Sequence, residues 1–235
     1  MSHNITVEGG TSVRLPTAGK YCDRDIIVTA TGGKDDRFEK FLSNILTSFE
    51  DDTITTVKTY TFYQSTGLQS LRMSKLTTIP VGFCYGATNL ITVDLPEATD
   101  RIQNQGFAGC TNLKNVNIPK IQRFVNYAFQ NCTSLEILDL SSNFYSFGGG
   151  AALSNCTGLK ALIMRKADKI VTLGNKNNLT GSAIESGTGY IYVPRALVAS
   201  YQSNTNWSIH ATQFRALEDY TVDGTITGAL DLTKI

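Results

Sequence analysis

Five leucines at nearly even intervals limit what this chain can fold into more than any other feature. They close the triplets Thr66-Gly67-Leu68, Thr88-Asn89-Leu90, Thr111-Asn112-Leu113, Thr133-Ser134-Leu135 and Thr157-Gly158-Leu159, with spacings of 22, 23, 22 and 24 residues. Three and five positions after each leucine comes another apolar residue: Leu71 and Met73, Val93 and Leu95, Val116 and Ile118, Leu138 and Leu140, Leu162 and Met164. That alternation is the pattern of a short strand with one face buried. Six positions before the leucine stands Phe62, Phe107, Phe129 or Leu153, with Phe83 seven before in a turn one residue longer. The third position before is always small: Ser65, Ala87, Cys110, Cys132 and Cys156.

One block of about 22 residues has too few apolar groups to bury its own face, but equivalent blocks stacked on one another form internal ladders. Leu then lies on Leu, Phe on Phe, and the small residues on each other. Cysteine suits the small column because it packs as a compact near-hydrophobe. The threonines are expected to hydrogen-bond locally to the turn backbone at a tight corner. Function on such a scaffold lies with the outward residues between the buried ones. The candidate binding face is Arg72, Thr92, Asp94, Asn115, Asn117, Ile137, Asp139 and Ile163, with Ser70 and Ala161 beside them. It is polar with a small apolar patch, and its amides and carboxylates suit glycans or polar protein surfaces, as they equally suit solvent.

The units GFAGCTNLKNVNIPKIQRFVNYA and FQNCTSLEILDL resemble the BspA-like, or Treponema pallidum-type, leucine-rich repeats. The match covers about residues 55–165, in about five turns, with Ala87 where Cys is usual and Leu153 in place of Phe. The resemblance implies an α/β leucine-rich repeat solenoid with one short β-strand per turn and an irregular or 3₁₀ convex side. Members of the family act in adhesion and recognition.

The flanks differ from the repeats. Residues 1–33, with Gly9-Gly10 and Gly32-Gly33, predict a small N-terminal β module or docking arm. Within it, Asp23 and Asp25 are better explained as a solvated turn than as metal ligands. Residues 35–50, DDRFEKFLSNILTSFE, carry apolar residues at helical spacing from Phe38 to Phe49. They predict an amphipathic helix in an N-terminal cap over 34–54, or one that packs against its copies in a trimer. Residues 166–217 are expected to form a C-terminal cap: a loop from Gly174 to Asn178, a strand at Gly189–Val193 and a helix at Arg195–Ser203. Residues 218–235 are β-prone around Asp223-Gly224, which suits a hairpin or a strand lent to a neighbour. The strings VRLPTAGKYCDRDIIVTA and GTGYIYVPRALVASYQSNTNWS are similar to the opening and closing modules of phage and prophage tail or fibre proteins.

Composition removes several function classes. The chain is 41% hydrophobic and 17% charged with a net charge of +1, so it lacks the basic footprint of a nucleic-acid binder. Met1-Ser2-His3-Asn4 does not open a secretory signal, and no stretch is apolar enough to span a membrane. Five cysteines without a CxxC pair predict free thiols rather than a zinc site or disulfide framework. His3 and His210 are the two histidines, and no GxSxG, HExxH, P-loop or dinucleotide motif is present. Gly148-Gly149-Gly150 lacks the Lys-Ser/Thr of a phosphate loop and is expected to be a flexible bulge. Asp94 and Asp139 occupy equivalent strand positions, but the equivalents Arg72, Asn117 and Ile163 make no glycosidase pattern. The sequons at Asn131 and Asn155 coincide with repeat positions.

Together these features predict a non-enzymatic virion protein without metal or cofactor, a tail-fibre, receptor-binding or other surface-appendage component. It would be made in the host cytoplasm without a signal peptide. Its arm would dock to other virion proteins, its repeats would meet a host-surface protein or glycan, and the fibre resemblance implies a homotrimer. The alternative is a bacterial cell-surface adhesin of the same repeat family.

Overall fold

A computed structural model describes residues 47–235. The 1–33 arm, the Asp23 and Asp25 alternative, Cys22 and His3 lie outside the described residues, as does most of the helix expected at 35–50.

The alternating segments form the strands that their spacing implies. In chain order they are β1 (Ser48–Asp51), β2 (Ser70–Met73), β3 (Thr92–Asp94), β4 (Asp100–Ile102), β5 (Asn115–Asn117), β6 (Ile121–Phe124), β7 (Ile137–Leu140), β8 (Ser146–Phe147), β9 (Ala161–Met164), β10 (Thr172–Leu173), β11 (Tyr190–Val193) and β12 (Phe214–Ala216). One side of the solenoid is a parallel face in two runs, β1-β2-β3-β5 and β7-β9-β11-β12. Equivalent residues stack in register, for example Leu71 with Val93 and Val93 with Val116. Strands β5 and β7 do not pair, and beside this split Val116 is only partly buried, whereas Val93 and Leu138 are closed off.

The strand β1 corrects the reading of residues 35–50 as a helix to its end. Phe49 pairs with Leu71 and Asp51 with Met73. Leu46 to Phe49 is a step of three, which belongs equally to a helix face and to the L-x-x-L of the repeat. The sign that separates the two, an apolar residue two further on, is hidden because that place holds Asp51. Its carboxylate is buried and accepts from the Thr53 and Ile54 amides, both at 2.6 Å.

The opposite side is more regular than the irregular or 3₁₀ segments expected there. It carries a second parallel sheet, β10-β8-β6-β4, which turns Ile102, Phe124, Phe147 and Leu173 into the core. The third side is built of turns that hydrogen-bond along the stack. Tyr60, Phe62 and Gln64 donate their amides to the carbonyls of Val81, Phe83 and Tyr85, and Gln105, Phe107 and Gly109 to those of Asn126, Ala128 and Gln130. Two positions per turn bracket the core aromatic with left-handed backbone: Tyr60 and Gln64, Gly82 and Gly86, Gln105 and Gly109, Tyr127 and Asn131, Ala151 and Asn155. A non-glycine residue there costs about 1 kcal/mol, offset by the bonds between turns. Both sequon asparagines are in this set, and the Asn155 amide donates to Asn131 Oδ1 at 2.9 Å.

Rings touch from one end of the core to the other. Phe49, Phe62, Phe83, Phe107 and Phe129 follow one another at centroid distances of 5.1, 5.4, 5.9 and 5.2 Å. Where Leu153 ends the column, the contacts cross to Phe124 of the second sheet and run through Phe144 and Phe147 to Trp207. Cys84, Cys110, Cys132 and Cys156 are buried free thiols, and three of them donate to a carbonyl of the preceding turn: Cys110 to Cys84, Cys132 to Phe107 and Cys156 to Phe129, at 3.1, 3.2 and 3.1 Å. Two of the triplet threonines bond between turns rather than locally, Thr111 to the Thr88 carbonyl and Thr133 to that of Thr111.

Beyond Met164 the repeat signature fades but the stacking continues. Ile191 pairs with Leu162 and with Phe214, so β11 and β12 extend the face. The expected loop near Asn178 holds a 3₁₀ turn, Lys176–Leu179, with Asn175 as its cap. Gly148–Gly150 is not a flexible bulge: a Cβ on Gly149 would lie 2.5 Å from the Asn126 amide nitrogen, so the backbones pack directly. Pro194 caps a 3₁₀ turn at Arg195–Leu197 that leads into α1 (Val198–Ser203). This module closes the edge of the second sheet with side chains. Tyr201 Oη accepts the Val171 amide, Trp207 Nε1 donates to the Val171 carbonyl, and Asn206 Nδ2 donates to that of Leu173, all at 2.7 Å. Residues 221–235 then form a hairpin, with Thr221 bridged to Leu230, that lies back over the outer surface of β7, β9 and β11.

Candidate functional site

Strand alternation puts Ser48, Ser70, Thr92 and Asn115 in one outward row and Glu50, Arg72, Asp94 and Asn117 in the next. Arg72 is the centre of this half. Its guanidinium contacts Glu50 at 3.0 Å, Asp52 at 2.7 Å and Asp94 at 3.2 Å. Asn117 Nδ2 donates to the other Asp94 oxygen at 2.6 Å, and Asn115 Nδ2 to Thr92 Oγ1 at 3.4 Å. The Ser74 hydroxyl and then Arg72 hold the Asp52 carboxyl below its usual range. These are solvent-facing ion pairs of small energetic weight, but they fix side-chain directions on a rigid sheet. Asn115 and Asn117 remain exposed.

The second half of the predicted face is different. Register places Ile137 beside Ala161 and Tyr190, and Asp139 beside Ile163, Tyr192 and Arg215. Ile163 was expected to face outward into solvent. It is buried, and so are Ala161 and Tyr192, because Leu217, Tyr220 and the 221–235 hairpin cover them. Asp139 is held by Arg165 in a two-pronged pair, Nε and Nη2 each 2.7 Å from a carboxylate oxygen. Burial, followed by the neighbouring Tyr220, pushes the Tyr192 phenol up to about 12. The Arg215 guanidinium lies 4.2 Å from the centre of the Tyr190 ring.

The eight predicted residues therefore separate into two sets. Arg72, Thr92, Asp94, Asn115 and Asn117 share an open polar surface, while Ile137 and Ile163 belong to a covered apolar one, with Asp139 exposed at its edge and paired to Arg165. Glu50 and Asp52 were missed because β1 was taken for helix. Arg165, one residue past the last predicted strand position, had no repeat signal, although Tyr190 and Tyr192 were visible as an alternating pair.

Among the described residues, the titratable ones singled out in the sequence lie buried or are engaged in ion pairs. His210 lies buried in the C-terminal cap, away from this face, and desolvation lowers its pKa. Asp94 and Asp139, the conceivable carboxylate couple, are each engaged by an arginine. Among the described residues no group of His, Cys, Asp and Glu could hold a metal ion, and no helix is long and apolar enough to cross a membrane.

Comparison with a solved structure gives the same architecture. The pneumococcal vaccine antigen PcpA superposes with a TM-score of 0.55 at 16% identity, over 73% of this chain and 40% of PcpA. The chain thus spans less than half of that protein. A leucine-rich repeat protein from Bacteroides ovatus matches at 16% identity over 82% of this chain and 69% of its own, with a TM-score of 0.35. No curated protein sequence matches. The model of the BspA-type leucine-rich repeat region matches residues 35–160 in six copies, which takes in the β1 turn as well as the five turns marked by the leucine triplets. Repeats of this type generally mediate protein interactions. The chain belongs to the BspA-type leucine-rich repeat family.

Proposed function

We propose that this chain is a non-enzymatic recognition protein whose binding surface is the open polar half of the strand face, Glu50, Arg72, Thr92, Asp94, Asn115 and Asn117. One observation carries the reading: the 221–235 hairpin covers the face from β7 onward and leaves the Arg72-centred rows uncovered. A rigid sheet with fixed donors and acceptors suits a polar partner, here a host-surface protein or glycan. The setting we propose is the surface of a phage particle, as a tail-fibre or other appendage component, a reading supported by the two terminal strings that resemble phage modules. In that setting the 1–33 arm docks to other virion proteins and the chain assembles as a homotrimer.

The test combines location and binding. Antibody against the chain should label purified particles, and Arg72→Ala with Asn117→Ala should reduce host-cell binding at least tenfold without lowering thermal stability. Unlabelled particles, or unaltered binding, defeat this assignment. A second reading, a bacterial cell-surface adhesin, is favoured by the fold likeness to PcpA, a vaccine antigen. Fractionation of uninfected cells that finds the chain on their surface selects it.

A further inference from the structure

The outer surface of β7, β9 and β11 is an apolar patch separate from the main core. Ala161, Ile163 and Tyr192 are buried in it, with Ile137 beside them. What covers the patch is lightly held. Of residues 221–235 only Thr221 and Gly228 are buried, Val222 and Leu232 are 74% and 65% exposed, and the apolar anchors Ile226, Leu230 and Ile235 are partly buried. Ordering fifteen residues carries a large entropic cost, and three half-buried aliphatic side chains offset only part of it.

At its base the segment is tied to the preceding residues, Asp231 N–H to the Tyr220 carbonyl at 2.8 Å and Lys234 Nζ to that of Asp219 at 3.3 Å, and over the patch itself the polar hold comes from Arg165. Its side chain is 15% exposed and fixed by the bidentate pair with Asp139, which leaves Nη1 aimed at two backbone carbonyls of the hairpin, Ile226 at 2.6 Å and Gly228 at 3.1 Å. A guanidinium fixed in this way is a preorganised donor for main-chain oxygens. Beside it, the patch receives aliphatic side chains. These are two features that let a surface capture a peptide, here one folded into turns: backbone recognition and apolar contact.

We propose that this half of the face is a peptide-binding surface whose resident ligand is the chain's own 221–235 segment, reversibly held by Arg165. The partner it fits is a peptide with aliphatic residues placed as Ile226 and Leu230 and carbonyls free to accept from Arg165. The proposal does not rest on the reading of the open polar half.

The test uses the full chain and a fluorescein-labelled peptide of residues 221–235. In the wild type, amides of 221–235 should exchange with deuterium at least 100-fold faster than those of β9. Ile226→Asp should release the segment, keep β7 and β9 protected, and bind the labelled peptide at least tenfold more tightly than the wild type does. Adding Arg165→Met should abolish that binding, and Arg165→Met alone should speed exchange in 221–235 without affecting β2 or β3. The proposal is overturned if 221–235 exchanges no faster than β9, or if the released Ile226→Asp chain fails to bind the peptide. Unfolding of the body by Ile226→Asp also overturns it, because a removable ligand cannot carry the fold.

Discussion

Cys132 donates its thiol proton to the carbonyl of Phe107 one turn earlier, at 3.2 Å. Size and this weak bond together explain cysteine in a column that also accepts Ala87. Cys132→Ala should therefore cost only about 1–2 kcal/mol, whereas Cys132→Leu overpacks the ladder and should cost about 1–3 kcal/mol with a disturbed core. Urea unfolding and near-ultraviolet circular dichroism measure both.

Alkali should destabilise the fold. Burial pushes the Cys156 thiol from 9.0 up to about 12, and the Tyr192 and Tyr201 phenols from 10.0 up to about 12. The unfolded chain gives up these protons first, so stability is full below about pH 9 and falls as pH rises towards about 12. Melting temperature followed against pH should decline over that window, less steeply in Tyr192→Phe. A flat profile contradicts the burial of these groups.

A Cβ placed on Gly82, whose φ is +62°, would lie 2.2 Å from the Tyr60 ring. Gly82→Ala should cost about 1–3 kcal/mol, from the left-handed backbone and from the clash together. Tyr60→Ala in the same chain should recover the steric part and leave the backbone part. A double-mutant cycle in denaturant separates the two.

Leu138 is fully buried in the middle of the stack, while Asn117 is exposed at the same kind of strand. Leu138→Ala should cost about 2–5 kcal/mol and Asn117→Ala no more than about 0.5 kcal/mol. Equal losses would mean that the inward and outward rows have been exchanged.

Tyr201→Phe leaves the buried Val171 amide without its acceptor, and Trp207→Phe leaves the Val171 carbonyl without its donor. Each should cost about 1–3 kcal/mol. Exchange of the β10 amides should accelerate more than that of β2, since the damage falls on the closed edge.

The stacked core was legible in the sequence because it repeats: every turn votes for the same leucine, aromatic and small columns. What broke the pattern was hidden. Asp51 disguised β1 by filling an apolar place with a buried, self-capped carboxylate, and the longer connection between Leu162 and Ile191 masked the continuing stack. The second sheet was missed because its strands are only two to four residues long and vary in sequence. On the face itself, alternation identified which side chains point outward. It carried no information on what lies over them, since the contact of Ile226 with Arg165 joins positions 61 residues apart.

The turn-side bonds give the molecule a polarity. Tyr60, Phe62 and Gln64 send their amides towards the following turn, and the same sense recurs at Gln105 and Tyr127. The two sides of such a turn are consequently unlike: it presents carbonyl oxygens to the turn before it and amide hydrogens to the turn after it. A duplicated turn fits only when inserted in the same sense between two existing ones, where it finds acceptors ahead and donors behind. Length is thus the quantity that can grow by whole units while each end keeps its own closure.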